Sequence, residues 1–171
     1  MHTITNKVKR ASVWAALTLS AGLSLSVPAV HAATNTTGQF NVNVTLTPKC
    51  EFFNGSSPTA TIADLALSYI SFQNTTSTGS TNFKVRCTNT LGYGLSLDAA
   101  SVTDGTTGLQ MVLALSGSST HTATPTASLS GLSGNGNAGQ TYYVHGTLAA
   151  NQDGTVTPGA ANNQRVLTIT Y

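Results

Sequence analysis

The side chains best suited to chemistry in this 171-residue sequence are two cysteines, Cys50 and Cys87, and two histidines beyond the N-terminal region, His121 and His145. The cysteines lack the CxxC spacing of a redox pair, and adding the two histidines gives no recognisable zinc pattern. Nucleophilic catalysis requires a base held beside an activated hydroxyl or thiol. His121 sits in a Thr-rich stretch and His145 in a strand-like one, with no motif around either, and serine is too abundant to single out a nucleophile. Asp98 and Asp104 flank a turn and read as solvated loop groups rather than a catalytic carboxylate pair. DGTTG at 104–108 lacks the series of oxygen ligands that a calcium loop needs. No glycine loop able to cradle phosphate is present. These residues assign no catalytic, cofactor or metal role, and the expectation is a protein that is not an enzyme.

The N-terminus places the cysteines in a compartment. MHTITNKVKR holds three of the 7 Lys+Arg and is followed by an uncharged stretch ending in Val30-His31-Ala32. This is the pattern of a signal peptide over residues 1–32, cleaved after Ala32. A retained membrane anchor is the alternative, and the short apolar core, broken by serines and Pro28, weighs against it. Cleavage leaves 139 residues with four basic side chains against five acidic ones, a net charge of −1. Four scattered cations do not form the basic patch that nucleic-acid binding requires. Export into an oxidising compartment makes Cys50 and Cys87 a structural disulfide closing 38 residues, worth about 4 kcal/mol by loop entropy.

The elements that would carry these residues are short strands. Phe40, Val42, Val44 and Leu46 alternate with Asn41, Asn43, Thr45 and Thr47, which gives an extended segment one apolar and one polar face. Pro48 then limits its continuation as a central strand. Asn54 to Pro58 reads as a turn, 59–62 as a strand and 65–72 as a short apolar passage, and ADLALSYI at 63–70 admits a helical turn. Phe83, Val85 and Cys87 alternate with Lys84 and Arg86; Tyr93, Leu95 and Leu97 repeat the pattern, and the two segments read as a hairpin. The near-continuous apolar run 109–115 suits a strand covered on both faces, or one covered by another chain. A marginal strand near 127–132, a strand at 141–148 and a closing one in RVLTITY, with Leu167, Ile169 and Tyr171 on one face, complete seven or eight strands and no long helix. That set predicts an all-β fold, an antiparallel sandwich, with a barrel as the alternative. Sequons at Asn35, Asn43, Asn54 and Asn74 arise cheaply in a Thr- and Asn-rich chain and carry no assignment.

Four stretches resemble one family: TGQFNVNVTLTPKC at 37–50, STNFKVRCTNTLGYGLSLDAA at 80–100, YYVHGTLAA at 142–150 and RVLTITY at 165–171. They are similar to the archaic chaperone–usher pilins, which include spore coat protein U domain proteins and Csu-type fimbrial subunits. The chain departs from the family pattern after Leu109 and in PGAANNQ, which precedes the last strand.

The resemblance implies an incomplete immunoglobulin-like antiparallel β-sandwich, residues 48–171, completed by a strand from another subunit. It implies that 33–47 is a donor segment, with Gly38, Phe40, Val42, Val44 and Leu46 as its working positions, and that Leu167, Ile169 and Tyr171 lie on an edge strand of the acceptor groove. The implied partners are a periplasmic pilus chaperone, an outer-membrane usher and other copies or related subunits joined head-to-tail. The implied destination is the cell surface, in fimbriae serving attachment and biofilm formation. The competing expectations are a secreted monomeric adhesin or carbohydrate-binding sandwich, in which 38–46 pairs within its own chain, and a spore or cyst coat component.

Overall fold

A computed structural model describes residues 36–59, 61–155 and 164–171; the expected leader, residues 1–32, lies outside them. The chain divides into two units between Asn43 and Val44. Of the first unit, residues 36–43 are described and adopt no helix or strand.

The second unit is an all-β sandwich of two antiparallel sheets. Its strands among the described residues are β1 (Cys50–Phe53), β2 (Ser77–Cys87), β3 (Gly92–Leu97), β4 (Ser101–Thr103), β5 (Gln110–Ser116), β6 (Ser128–Ser133), β7 (Gln140–Leu148) and β8 (Leu167–Thr170), with a 3-10 turn at Gly136–Ala138. Five strands form one sheet in the order β1-β2-β7-β5-β4, and three form the other in the order β6-β3-β8. Strand alternation sets the inner faces, as read from the sequence for β2 and β3: Phe83, Val85 and Cys87 of β2, Leu113 and Leu115 of β5, and Tyr142 and Val144 of β7 meet Tyr93, Leu95 and Leu97 of β3 in one buried core.

Two readings of the sequence are corrected here. Residues 83–87 and 93–97 do not form a hairpin, because β2 and β3 lie in different sheets. The intervening turn, with Thr90 at φ 63° and the Leu91 amide donating to Thr88 O, carries the chain from one sheet to the other. Two similar apolar faces thereby meet across the core instead of standing side by side. Residues 61–70 are neither strand nor helix. They run over the inner face of the β2–β7 pair, where Gly79 and Gly146 stand opposite each other in register. A Cβ on Gly146 would come within 2.8 Å of Leu65 Cδ2, and one on Gly79 within 2.7 Å of Ala66 O, so the missing side chains make room for Leu65 and Leu67.

The apolar run at 109–115 became β5, flanked by β7 and β4, with Leu113, Ala114 and Leu115 all buried. Residues 117–126 of its own chain shield it: the Leu115 amide donates to Thr126 O along the strand edge, and on the outer face the fully buried His145 of β7 is 3.0 Å from Ser118 O through its Nε2. His145 is thus a strand side chain, with the His121 ring 5.2 Å away and His121 Nε2 3.0 Å from Thr147 Oγ1. Asp104 is not a solvated loop group. It is buried and accepts from the Thr106 and Thr107 amides and the Thr107 hydroxyl, closing the turn between β4 and β5.

Candidate functional site: an open groove between two sheet edges

The predicted disulfide is present and anchors one wall of the groove. Cys50 and Cys87 face each other across β1 and β2 with Cα atoms 4.1 Å apart. One residue further along, Glu51 lies opposite Arg86, whose Nε donates to Glu51 Oε1 at 2.6 Å and whose Nη1 donates to Asn137 Oδ1 at 3.0 Å. The Arg86 guanidinium also rests 5.1 Å from the Phe53 ring centroid. Lys49 pairs with the other Glu51 oxygen. The Lys49 ammonium, then the Arg86 guanidinium, hold the Glu51 carboxyl below its ordinary range. A four-residue edge strand is therefore fixed by a covalent bond and a charged clamp.

The opposite wall is β8, which among the described residues pairs with β3 alone. The Asp98 amide donates to Val166 O at 3.0 Å, and this sets the alternation of the ladder. Thr168 and Thr170 direct their main chain toward β3, whereas the amides and carbonyls of Leu167 and Ile169 point to the free edge. The side chains of the same two residues turn inward and pack, half-buried, against the core, with Tyr171 just beyond the strand and 60% exposed.

Between these edges lies a groove of about 520 Å³ lined by Glu51, Phe52, Pro58, Thr59, Leu167, Ile169 and neighbouring residues. The Thr59 amide donates to Phe52 O, so the returning chain already occupies part of the free edge of β1, and β8 is the more open wall. The remaining edges of the two sheets are blunted. β4 has three residues, the chain beyond it on β5 pairs with Thr126, and the ladder of β6 with β3 slips register between Tyr93 and Leu95. Near the disulfide end of the core, the Tyr93 and Tyr142 hydroxyls stand 2.6 Å apart and share Gln140 Oε1. Burial, then the hydrogen bond with Tyr142, pushes the Tyr93 hydroxyl above its ordinary range.

The positions expected to donate a strand behave differently. Phe40, Val42, Val44 and Leu46 are 86%, 72%, 86% and 73% exposed, and residues 36–49 form no strand among the described residues. A strand needs a partner for its ladder, which alternation alone cannot supply. The sequence reading missed Phe52, Pro58 and Thr59 as groove residues. The available signal was the alternation of Cys50 with Phe52, a continuation of the period-two pattern just past Pro48. No family model matches this chain, and no curated protein matches it.

Proposed function

We propose that this protein is a structural subunit of a chaperone–usher pilus, an incomplete immunoglobulin-like sandwich that polymerises by accepting residues 38–46 of another copy into the groove between β1 and β8. The observation that carries the reading is the pairing of two incomplete parts: an apolar groove along one wall of which the main chain of Leu167 and Ile169 is free among the described residues, and an exposed segment whose apolar side chains recur at every second residue. An added strand gains main-chain hydrogen bonds from such an edge, while alternate side chains fill the groove. Burying four of them contributes about 6–12 kcal/mol before ordering costs.

Local stereochemistry supports donation between chains over pairing within one. Only Thr47, Pro48 and Lys49 separate Leu46 from β1, and both main-chain groups of Lys49 are engaged with Thr88. A hairpin loop of three residues needs its last residue in the left-handed region, and Lys49, held by Thr88, is not at positive φ; a two-residue turn would need positive φ at Thr47, a place poorly suited to a β-branched residue that precedes proline. Donor and acceptor surfaces differ, so the contact is head-to-tail and yields a fibre when its rotation does not close. On this reading a periplasmic chaperone occupies the groove of the unpolymerised subunit, an outer-membrane usher exchanges it for the next donor, and surface attachment and biofilm formation follow from the fibre.

The test is denaturing electrophoresis of surface material, unheated and boiled, with detection of this chain. Strand-exchanged fibres are kinetically stable, and the expected result is an unheated ladder that collapses on boiling to a band near the mass of residues 33–171. A lone monomer band in both lanes, with surface expression confirmed, would replace the pilus with a self-contained secreted binding domain.

A further inference from the structure

The charged side chains of the sandwich are few and are sorted along the strand axis. The register places Cys50, Cys87, Gln140 and Ser116 toward one end, and Ser77, Leu148, Gln110 and Thr103 toward the other. The disulfide end carries Lys49, Lys84, Arg86 and Glu51, three cations against one anion. β3 runs away from that end, because Tyr93 meets Tyr142 near the start of β7. The far end therefore carries Asp98 and its ion-pair partner Arg165, together with Asp104 and Asp153, three anions against one cation. Asp64 lies between them, since its neighbour Ala63 accepts from Thr81 midway along β2. Side chains thus give one end a charge of +2 and the other −2.

We propose that these two ends form a second, electrostatic interface between successive copies of this chain, the basic disulfide end of one subunit facing the acidic end of the next. The inference rests on the donor-strand reading above. Lys49 follows Leu46 by three residues, so the basic end of the donating subunit lies where its strand leaves the neighbour's groove. Opposite charges meet there only if the strand leaves beside the acidic end, antiparallel to β8 and parallel to β1. The reverse direction would set two basic ends against each other. Lys84 and Asp153 are both exposed and supply accessible charge to the two faces, and the donor segment itself is uncharged. Charge arranged in this way steers encounter more than it holds the product.

The experiment follows assembly of the surface-derived protein after dissociation and refolding, by light scattering and unheated gels, at 0.01 M and 0.3 M NaCl. The screening length falls from about 30 Å at 0.01 M to below 10 Å above 0.1 M, and we expect assembly to slow by about tenfold. Lys84→Glu and Asp153→Lys, each of which cancels one end, are expected to assemble slowly at low salt and to lose most of the salt dependence, whereas Asp64→Asn keeps it. Equal salt slopes in all four proteins would overturn the inference. An end-capped peptide of residues 33–47 separates the two levels of the argument. If it inhibits assembly equally in every variant while charge has no effect, the interface fails and the donor-strand reading stands; if it does not inhibit the wild type, the donor-strand reading itself fails.

Discussion

If the fibre is held by apolar side chains seated in the groove, trimming one of them should loosen every joint by a calculable amount. Val44 is 86% exposed and Val42 72%, so nearly the whole of each side chain is available for burial. Val44→Ala removes two carbons, about 1.6 kcal/mol at 0.8 kcal/mol for each, and the joint should open about 15-fold faster if the loss falls on dissociation. Adding Val42→Ala doubles the loss and brings the acceleration to about 200-fold, taking the two sites as additive. The assay is the rate at which the unheated ladder falls to monomer in detergent at one fixed temperature. Asn43→Ala, on the polar face of the same segment, should stay within about twofold of wild type. Val44→Asp is the severe form: it would bring a carboxylate into a groove whose charged lining residue is Glu51, and that subunit's donor should fail to incorporate although its own groove still binds the chaperone. Equal effects from Val44→Ala and Asn43→Ala, or normal fibres from Val44→Asp alone, would refute the reasoning.

Further expectations concern the acceptor itself. Glu51 is more acidic folded than unfolded, so its contribution is fully present above the ordinary value of 4.5 and is lost as pH falls through the lower folded value; Glu51→Gln should flatten denaturant stability below that pH, and an unchanged acid slope would count against the clamp. Gly139 has φ 67°, and a Cβ there would lie 2.1 Å from Phe53 Cε1, so Gly139→Ala should destabilise the sandwich by about 2–4 kcal/mol in urea unfolding, through overpacking and a left-handed backbone together.

Much of the fold was legible because side-chain alternation is a local property. Phe83, Val85 and Cys87, Tyr93, Leu95 and Leu97, and Leu167 and Ile169 announce their inward faces by spacing alone, and all eight side chains turn inward as that spacing requires. The disulfide was equally accessible, since the number of cysteines and the expected export leave one intrachain pairing for Cys50 and Cys87. The same local signal says nothing about neighbours. It grouped β2 with β3, whose faces match, when those faces pack across the core, and it left β1 unassigned because Pro48 separates its four residues from the longer alternation at 40–46.

The sequence by itself determined which segments have two faces, which of those faces are apolar, and that 40–46 is such a segment. Tertiary structure alone decided which strands are neighbours, and therefore that among the described residues β8 leaves the main chain of Leu167 and Ile169 open toward a groove whose other wall is clamped by Cys50–Cys87 and Glu51–Arg86. It also buried Asp104 in its turn and laid Leu65 and Leu67 over Gly79 and Gly146, contacts that no pattern in either segment encodes. The physical reason is the same in each case. Periodicity follows from the geometry of one strand, whereas an open edge, a buried carboxylate or a cleft depends on residues far apart in the chain and brought together only by folding.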